Sequence, residues 1–325
     1  MNPISLAITI GDPLGIGPEI TLKALADHPA RDQLIVIGDR DLLERQAAKL
    51  RLSLPRQIKS VGVLPSNLAF GQISAVAGDA SFHYVEHAIT MALAGTVAGV
   101  VTAPIAKEAW HAAGHHFPGH TELLAARSGG VPVRMMLANA ELRVVLVSIH
   151  LPLRQAIAEL SSAAILQTIE LTDRALQRAG IAQPRLAVAG VNPHAGEAGL
   201  FGREEIDIIA PAITQAKAAG IAAFGPFAPD TIFMRARGLA QFDAVIAMYH
   251  DQGLIPVKYL GIDNGVNITI GLPFVRTSPD HGTAFDLAGR ADANGNGLAD
   301  ARSMRAAIDQ ALSLIRQPGA APAWL

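Results

Sequence analysis

The sequence contains no cysteine among its 325 residues, which excludes disulfide bonds and thiolate metal ligands. Any bound metal must therefore be held by histidine, aspartate, glutamate or water. Aromatic residues make up only 5% of the chain and charged residues only 17%, whereas half of the residues are hydrophobic. So little charge indicates that part of the surface is buried between subunits, and a two-fold homodimer is the expected assembly.

The numbers of positively and negatively charged residues are also nearly equal. The net charge is −2 and there is no long basic stripe, so we expect no nucleic-acid partner. The first residues lack the basic region and cleavage site of a secretory signal, and we expect a cytoplasmic protein. The uncharged stretch 88–106 is long enough to cross a membrane, but its glycines, proline and threonines favour a helix end, a turn and a buried strand.

Short apolar runs alternate with amphipathic segments along the whole chain, which predicts an α/β fold with a mostly parallel sheet. A chain of this length favours two subdomains. The predicted strands are Leu6–Ile10, Leu34–Ile37, Val97–Val101, Val144–Ile149, Leu186–Val191, Ala244–Met248 and Asn267–Ile270. The predicted helices are Ile16–Ala26, Ala80–Leu93, Ser162–Ala179, Glu204–Ala218 and Ala299–Ile315.

Two segments begin like ligand-binding motifs and do not complete them. The glycine-rich turn 11–19 has Ile20 at the third glycine place of a dinucleotide motif, and no Gly-Lys-Ser/Thr follows. The segment 292–297 begins like a calcium loop but carries Ser303 where a bidentate glutamate is required. We therefore expect a tight turn before a helix at the first and a polar turn at the second.

Three histidines, His150, His194 and His250, each close a short apolar run of strand type. Ligands of parallel α/β sheets collect beyond the carboxyl ends of the strands, so these imidazoles can converge on one point. Convergent imidazoles indicate a metal site or an acid–base site. The alternative is that they are separate surface or structural histidines, as most histidines are.

Further polar residues are typical of an anion site. His120 and Thr121 stand just before a helical stretch, where side chains and backbone N–H groups can receive an anion. Lys258, Asn267 and Arg276 follow at intervals of nine residues and suit a clamp for phosphate or carboxylate. Taken singly, each is more often a solvated or capping residue.

Six motifs together resemble the 4-hydroxythreonine-4-phosphate dehydrogenase (PdxA-like) family, and they occur in order over nearly the whole chain. They are Gly-Asp-Pro-Leu-Gly-Ile-Gly-Pro-Glu (11–19), Pro-Gly-His-Thr-Glu (118–122), Asn-Pro-His-Ala-Gly-Glu (192–197), Met-Tyr-His-Asp-Gln-Gly (248–253), Gly-Val-Asn-Ile-Thr-Ile-Gly-Leu-Pro (265–273) and Arg-Thr-Ser-Pro-Asp-His-Gly-Thr-Ala (276–284).

The resemblance implies the fold of the isocitrate and isopropylmalate dehydrogenases, with two α/β subdomains around a cleft. Residues 1–135 and 270–325 would form the NAD-side subdomain, and residues 136–269 would form the subdomain of the metal site and dimer interface. It also implies a homodimer whose active site receives groups from both subunits.

The resemblance further implies a metal-dependent NAD or NADP oxidoreductase of pyridoxine and pyridoxal phosphate biosynthesis. It would oxidise the C3 hydroxyl of a 4-phosphorylated four-carbon hydroxy acid of the 4-(phosphooxy)-L-threonine type, with decarboxylation. Its divalent metal would be zinc, magnesium, cobalt or manganese. The implied ligands are His150, His194 and His250 for the metal; His120, Thr121, Lys258, Asn267 and Arg276 for the substrate; and His281, Gly282 and Asp286 for the nucleotide. Lys258 would also transfer a proton.

The segment 102–110 departs from the family pattern, because Ala106 stands where the family has histidine or asparagine and Trp110 is unusually bulky. The segments 111–114 and 199–207 are closer to a branch acting on 4-phospho-D-threonate or 4-phospho-D-erythronate. The retained Gly-His-Thr segment disfavours a third branch, the dihydrodiol dicarboxylate dehydrogenases. An alternative from another class is a non-catalytic metal- and anion-binding sensor on the same scaffold.

Overall fold

A computed structural model describes residues 5–261 and 265–316. The strands are β1 (Leu6–Thr9), β2 (Leu34–Gly38), β3 (Gln57–Ser60), β4 (Gly99–Thr102), β5 (Arg134–Ala138), β6 (Arg143–Leu146), β7 (Leu186–Ala189), β8 (Ala223–Phe227), β9 (Ala244–Ala247), β10 (Val266–Ile270) and β11 (Val275–Pro279). The α-helices are α1 (Gly17–Leu25), α2 (Arg40–Leu50), α3 (Ala75–Leu93), α4 (Lys107–Ala112), α5 (His120–Arg127), α6 (Leu153–Ala158), α7 (Ser162–Arg178), α8 (Ala210–Ala218), α9 (Ile232–Ala236), α10 (His250–Tyr259) and α11 (Arg302–Arg316).

The described chain divides into two compact units. Unit 1 contains the residues up to 132 and those from 272 to 316, and unit 2 contains residues 133–271. The chain therefore leaves unit 1 once, builds unit 2 from a single continuous segment, and returns to complete unit 1.

Unit 1 is built on strands in the order β3, β2, β1, β4, β11. All four of the strand pairs in this order are parallel, and β4 lies between β1 and β11 with Gly99 as the partner of both Leu6 and Val275. The strands β1 and β4 are completely buried, as expected of a parallel sheet covered on both faces.

Unit 2 has strands in the order β10, β5, β6, β9, β7, β8. β5 runs antiparallel to both of its neighbours, whereas β6, β9, β7 and β8 are parallel. Its core includes Leu142, Val144 and Leu146 on β6 and its approach, and Val245 and Ala247 on β9. The sheet of unit 2 is therefore mixed, with the parallel strands around β9.

All seven predicted strands and all five predicted helices are present, with ends that differ by a few residues. Four strands lacked a sequence signal: β3, β5, β8 and β11. β3 is short and mostly exposed, and β8 contains Gly225 and Pro226, so neither has the apolar run that signals a strand.

The segment long enough to cross a membrane and the segment that begins like a calcium loop form neither of those features. Residues 88–106 contain the end of α3, a turn at Gly95 and the buried strand β4, as predicted. Over the described residues, no helix has both the length and the hydropathy needed to cross a membrane. The segment 292–297 is a polar turn in which the Oδ1 atom of Asp292 accepts hydrogen bonds from the backbone N–H groups of Asn294 and Asn296, both at 2.8 Å.

The glycine-rich turn after β1 is tight because backbone approaches it closely. A Cβ atom at Gly11, whose φ is +67°, would lie 2.2 Å from the carbonyl oxygen of Pro104. A Cβ atom at Gly17 would lie 2.0 Å from the carbonyl oxygen of Ile10. These glycines therefore serve chain packing, which agrees with a tight turn rather than a nucleotide loop.

Candidate functional site

Two of the strand-end histidines meet in unit 2. His150 follows β6, and His250 begins α10 directly after β9. Because β6 and β9 are parallel neighbours, their carboxyl ends lie side by side. The ring centroids of His150 and His250 are 5.7 Å apart, and the rings are tilted by 41°.

The surroundings of His250 orient its ring. Its Nδ1–H group donates to the Oδ1 atom of Asp251 at 2.7 Å, which leaves the Nε2 lone pair for a ligand. Gln252 holds the helix start in place, because its Oε1 accepts from the backbone N–H of Met248 at 2.6 Å and its Nε2 donates to the carbonyl oxygen of Gly190 at 2.7 Å. Gln252 thus links the ends of β9 and β7.

The third histidine, His194, lies in an unusual backbone segment after β7. Within the turn Pro193–Gly199, residues 194–198 all have positive φ, between 43° and 79°. A left-handed turn costs a residue with a Cβ atom roughly 1–2 kcal/mol, and only Gly196 is exempt here. His150 also has a positive φ, of 47°. Strain of this kind is typical of functional sites and persists where neighbouring contacts impose it.

Glu205 supplies those contacts. It is only 3% exposed, and its Oε1 accepts from the backbone N–H groups of Val191 at 2.7 Å and Asn192 at 2.8 Å. Its Oε2 accepts from the Nδ2 of Asn192 at 2.9 Å. A Cβ atom at Gly196 would lie 2.6 Å from this Oε2, so the carboxylate packs closely on the glycine. No local sequence pattern distinguishes Glu205 from its neighbours in the segment 199–207.

One chain does not assemble all three histidines into a metal-binding group. Over residues 5–261 and 265–316, the group of three ligand side chains whose donor atoms lie within 4.8 Å of one another is Asp79, His83 and His115, in unit 1. The ring of His194 lies beside that of Phe201, with 6.3 Å between the centroids. The structure therefore brings His150 and His250 together and does not place His194 in a shared group with them.

Lys258 and Asn267 also belong to unit 2. Lys258 lies on α10, eight residues after His250, and is partly buried. Asn267 lies on β10, where its Nδ2 donates to the Sδ atom of Met135 at 3.2 Å. Its Oδ1 is buried and has no hydrogen-bond partner in the part of the chain that the structure describes. A weak sulfur partner and an unsatisfied oxygen mark Asn267 as a residue that suits a ligand.

The remaining substrate candidates lie in unit 1 around Arg276. This side chain is only 3% exposed, and its Nη2 donates to the Oγ1 atom of Thr102 on the adjacent strand at 2.7 Å. Burial lowers the pKa of Arg276 to about 10, and Glu122 partly opposes that shift. The guanidinium remains charged at neutral pH, so unit 1 holds a buried cation that an anion would stabilise.

His120 begins α5 beside this cation, and Thr121 follows it in the first turn. Burial, Arg276 and Lys107 together hold the pKa of His120 well below its ordinary value, so the imidazole is neutral at pH 7. Its Nε2 atom is buried and has no hydrogen-bond partner among the described residues. A neutral imidazole between two cations is suited to hydrogen bonding with an anion rather than to adding a third charge.

Lys107 and Trp110 complete the surroundings of His120. A Cβ atom at Gly119 would lie 3.3 Å from the Oε2 of Glu122 and 3.5 Å from the Cε of Lys107, so both charged side chains lie beside the start of α5. Trp110 is completely buried; it donates from Nε1 to the Oγ of Ser81 at 2.8 Å, and its ring packs edge-on to His120 at 5.7 Å. Trp110 departs visibly from the family pattern, whereas its near neighbour Lys107 carries no sequence signal for a place in this site.

The candidate nucleotide loop packs against the glycine-rich turn of unit 1. The Nδ1–H group of His281 donates to the carbonyl oxygen of Gly282 at 3.1 Å, and the side chain of Asp286 is exposed. The carbonyl oxygen of Thr283 accepts from the backbone N–H of Ile16 at 3.0 Å. A cavity of about 200 Å³ also lies in unit 1, and its lining includes Leu14, Arg45, Lys49, Leu68 and Phe70. Lys49 also contacts the loop, because its Nζ donates to the carbonyl oxygen of Gly289 at 2.6 Å.

Comparison with known proteins decides the family. The family model described as pyridoxal phosphate biosynthetic protein PdxA matches residues 30–311. The chain belongs to the PdxA family. Its relatives in this family are dehydrogenases, and the strand-end histidines and the Arg276 site lie within the matched region.

Individual relatives cover almost the whole chain. A 4-hydroxythreonine-4-phosphate dehydrogenase of Beijerinckia indica is 52% identical over 95% of this chain and 94% of its own. A D-threonate 4-phosphate dehydrogenase of Cupriavidus necator is 47% identical over 95% of this chain and 96% of its own. The crystal structure of 4-hydroxythreonine-4-phosphate dehydrogenase from Klebsiella pneumoniae is 43% identical, covers 97% of this chain and 100% of its own, and has a TM-score of 0.87.

A more distant structure supports the fold alone. Isocitrate dehydrogenase from Methylococcus capsulatus is 16% identical, covers 98% of this chain and 87% of its own, and has a TM-score of 0.51. The expected α/β fold of the isocitrate dehydrogenase type is confirmed.

Proposed function

We propose that this PdxA-family chain is an NAD(P)-dependent dehydrogenase that oxidises the C3 hydroxyl of a 4-phosphorylated four-carbon hydroxy acid, with decarboxylation. The observation that carries the proposal is the buried Arg276 beside the neutral His120 at the start of α5. A terminal phosphate satisfies a buried guanidinium and a helix N-terminus together. The names of the relatives agree with a phosphorylated substrate.

In this proposal the residues of unit 1 bind and orient the phosphate. Arg276 and Lys107 supply positive charge, His120 donates from Nε2, and Thr121 adds a hydroxyl from the first turn of α5. Neutral His120 must carry its proton on Nε2 to donate, and the buried, unsatisfied Nε2 is consistent with that tautomer. Holding the phosphate fixes where the C3 hydroxyl lies, because C3 is bonded directly to the phosphorylated C4.

Three imidazoles without thiolates suit a zinc, cobalt or manganese ion better than a purely oxygen-bound one. We assign His150, His194 and His250 as its ligands, with Asp251 orienting His250. A divalent cation bound there would make the C3 hydroxyl more acidic and stabilise negative charge as carbon dioxide is lost. Since one chain places only His150 and His250 together, His194 is expected from the partner subunit of a homodimer.

We assign the nucleotide to the loop that includes His281, Gly282 and Asp286. NAD or NADP bound there would accept the hydride from C3. Lys49 contacts Gly289 at the end of this loop and lines the neighbouring 200 Å³ cavity. Its ammonium group therefore places a positive charge beside the loop. Lys258 is assigned to proton transfer and Asn267 to a substrate oxygen, through its unsatisfied amide.

The group at C2 of the substrate distinguishes two candidates. The 4-(phosphooxy)-L-threonine type carries an amine there, whereas 4-phospho-D-threonate and 4-phospho-D-erythronate carry a hydroxyl. The second type is favoured by the segments 111–114 and 199–207, which resemble its branch, while the departures at Ala106 and Trp110 set the chain apart from the first type. A relative named D-threonate 4-phosphate dehydrogenase, 47% identical, supports retaining it.

The experiment that tests the function follows reduced nicotinamide by absorbance while the enzyme is offered each of these phosphorylated acids. We expect turnover of at least one of them with a divalent cation, loss of turnover with a chelator, and recovery when zinc, cobalt or manganese is restored. Lys258→Met should bind substrate and lose most turnover. Metal and anion binding with no turnover of any substrate would favour the sensor alternative and contradict the proposal.

A further inference from the structure

A second cluster of metal-binding side chains lies in unit 1, outside the site assigned above. Asp79 and His83 are four residues apart on α3 and therefore project from the same face of that helix. His115 follows α4, which packs closely on α3. Their candidate ligand atoms all lie within 4.8 Å of one another.

Direct contacts already hold two of the three groups together. The Oδ1 atom of Asp79 accepts a hydrogen bond from the Nε2–H group of His115 at 2.8 Å. The Nδ1 atom of His83 lies 2.8 Å from the backbone carbonyl oxygen of Asp79 and 3.5 Å from its Oδ2 atom, so this ring nitrogen faces the carboxylate. A cation would replace the proton that now links His115 to Asp79.

The imidazole of His115 is held in a fixed orientation. Its ring stacks on that of Phe82, with 3.7 Å between centroids and 4° between planes. Phe82 is only 6% exposed and packs edge-on to the buried Trp110 at 5.2 Å, so the platform beneath His115 is part of the core. A ligand ring that is already positioned loses little side-chain entropy when it binds a metal.

We propose that Asp79, His83 and His115 form a second divalent-cation site, selective for metals that prefer imidazole. Two imidazoles and one carboxylate suit Zn²⁺, Ni²⁺, Cu²⁺ and Co²⁺, with water in the remaining positions, whereas Mg²⁺ and Ca²⁺ prefer oxygen ligands alone. Asp79 and His83 are both 54% exposed in their side chains, so the site is open to solvent. This opening leaves coordination positions for water.

The cation would join α3 to the segment that leads into α5. His115 lies five residues before His120, so the metal would restrain the chain next to the start of that helix. An effect on phosphate binding rests on the proposed function, but occupation of the site by a metal does not. Metal binding is therefore measured directly.

The test uses the full chain, stripped of metal, and titrates it with Zn²⁺ alone in competition with a chromophoric chelator. The background is the double variant His150→Gln/His250→Gln, which removes the first cluster of imidazoles. We expect this protein to retain one Zn²⁺ per chain, and Asp79→Asn or His83→Gln in the same background to weaken that binding at least about 30-fold, as loss of one of three protein ligands should. His87→Gln, one turn further along α3, is the matched control and should leave binding unchanged.

A second readout locates the metal. Cu²⁺ bound to the background protein should show two coupled nitrogen nuclei in its electron paramagnetic resonance spectrum, and His83→Gln should leave one. The proposal is overturned if the background protein binds no Zn²⁺, or if Asp79→Asn titrates like its parent. It is also overturned if His111→Gln abolishes binding, because His111 and His116 form a separate pair with their Nδ1 atoms 3.1 Å apart.

Discussion

Arg276 illustrates how burial gives one residue its role. A guanidinium only 3% exposed, with Thr102 as a neutral partner for its Nη2, loses much of its hydration on folding. The neighbouring His120 cannot compensate, because burial and the nearby cations keep it neutral. Glu122 is the nearby carboxylate that interacts with this guanidinium. In the proposed function a phosphate adds further negative charge there, so Arg276 is the proposed residue whose change should affect substrate binding most.

Replacing Arg276 by lysine should raise KM for the phosphorylated substrate by about 10- to 100-fold and change kcat much less. The charge remains, but the paired N–H groups of the guanidinium are lost, and a hydrogen bond to a charged group contributes about 1.5–3 kcal/mol. Initial rates against substrate concentration measure the effect. Arg127→Lys, at a half-exposed ion pair with Glu86, is the control. An unchanged KM in Arg276→Lys would remove the phosphate assignment.

Asp12 presents the opposite case, a buried carboxyl group that costs stability at neutral pH. Burial raises its pKa to about 6 from 3.8, while hydrogen bonds from the backbone N–H groups of Leu14 and Gly15 oppose the shift. Between these two values the unfolded chain releases the proton and the folded chain keeps it. The free energy of unfolding therefore falls as the pH rises from about 4 to 6.

Asp12→Asn should remove this loss, because asparagine stays neutral and keeps an oxygen for the Leu14 N–H. Relative to wild type, the variant should gain about 2 kcal/mol in free energy of unfolding between pH 4 and pH 7, since one pKa unit corresponds to about 1.4 kcal/mol and the unfolded carboxyl is already partly ionised at pH 4. Chemical denaturation at the two pH values measures the difference. The exposed Asp230→Asn serves as the control, and a pH-independent difference for Asp12→Asn would contradict the assignment.

At the scale of an element, the left-handed turn 193–199 is the least ordinary piece of backbone in unit 2. Residues with a Cβ atom disfavour the positive φ angles of this turn. The group that holds the start of the turn is the buried carboxylate of Glu205, which lies on the following helical segment and not within the turn. Because His194 lies in this turn, its position depends on Glu205.

Glu205→Gln should reduce both stability and turnover. The amide would present an NH₂ group to N–H donors that now point at the carboxylate, which leaves at least one of them unsatisfied at a cost of about 1–3 kcal/mol. We expect a lower denaturation midpoint and, because His194 is displaced, weaker metal binding with reduced kcat. Asp207→Asn, at an exposed i,i+4 ion pair with Arg203, is the matched control. If Glu205→Gln bound the metal as tightly as wild type, the turn would keep its conformation without the Glu205 carboxylate, and the assignment would be wrong.

At the scale of the whole molecule, one chain brings together only two of the three strand-end histidines. His150 and His250 lie on parallel neighbouring strands of the same unit, and His194 does not join them in a metal-binding group. A two-fold homodimer, expected from the low charge content, would let His194 of the partner subunit complete the site.

Mixed dimers test this arrangement. If His194 comes from the partner, a heterodimer of His194→Gln and His250→Gln chains contains one fully native site and one doubly altered site. Dissociating and reassociating the two inactive proteins together should therefore restore about a quarter of wild-type activity, because half of the dimers are mixed and each has one native site. Mixing His150→Gln with His250→Gln is the control and should restore none. Equal recovery in both mixtures, or in neither, would contradict a site shared in this way.

Much of the fold was determined by local sequence. Alternating apolar runs identified seven strands and five helices, because burial on both faces of a parallel sheet leaves an apolar stretch that is visible in the chain itself. The strand-end positions of His150, His194 and His250 and the anion-binding potential of Arg276 and His120 also followed from the sequence, since the carboxyl ends of parallel strands are where ligands collect.

Only the tertiary structure decided which of these residues meet. Glu205 and Lys107 carry no sequence signal for their roles, because each acts through residues that are close in space and not through a pattern along the chain. The pairing of His115 with Asp79 joins positions 36 residues apart, which no local periodicity records. The sequence determines which groups the elements carry, whereas the packing of those elements determines the distances, the burial and therefore the charge state on which the chemistry depends.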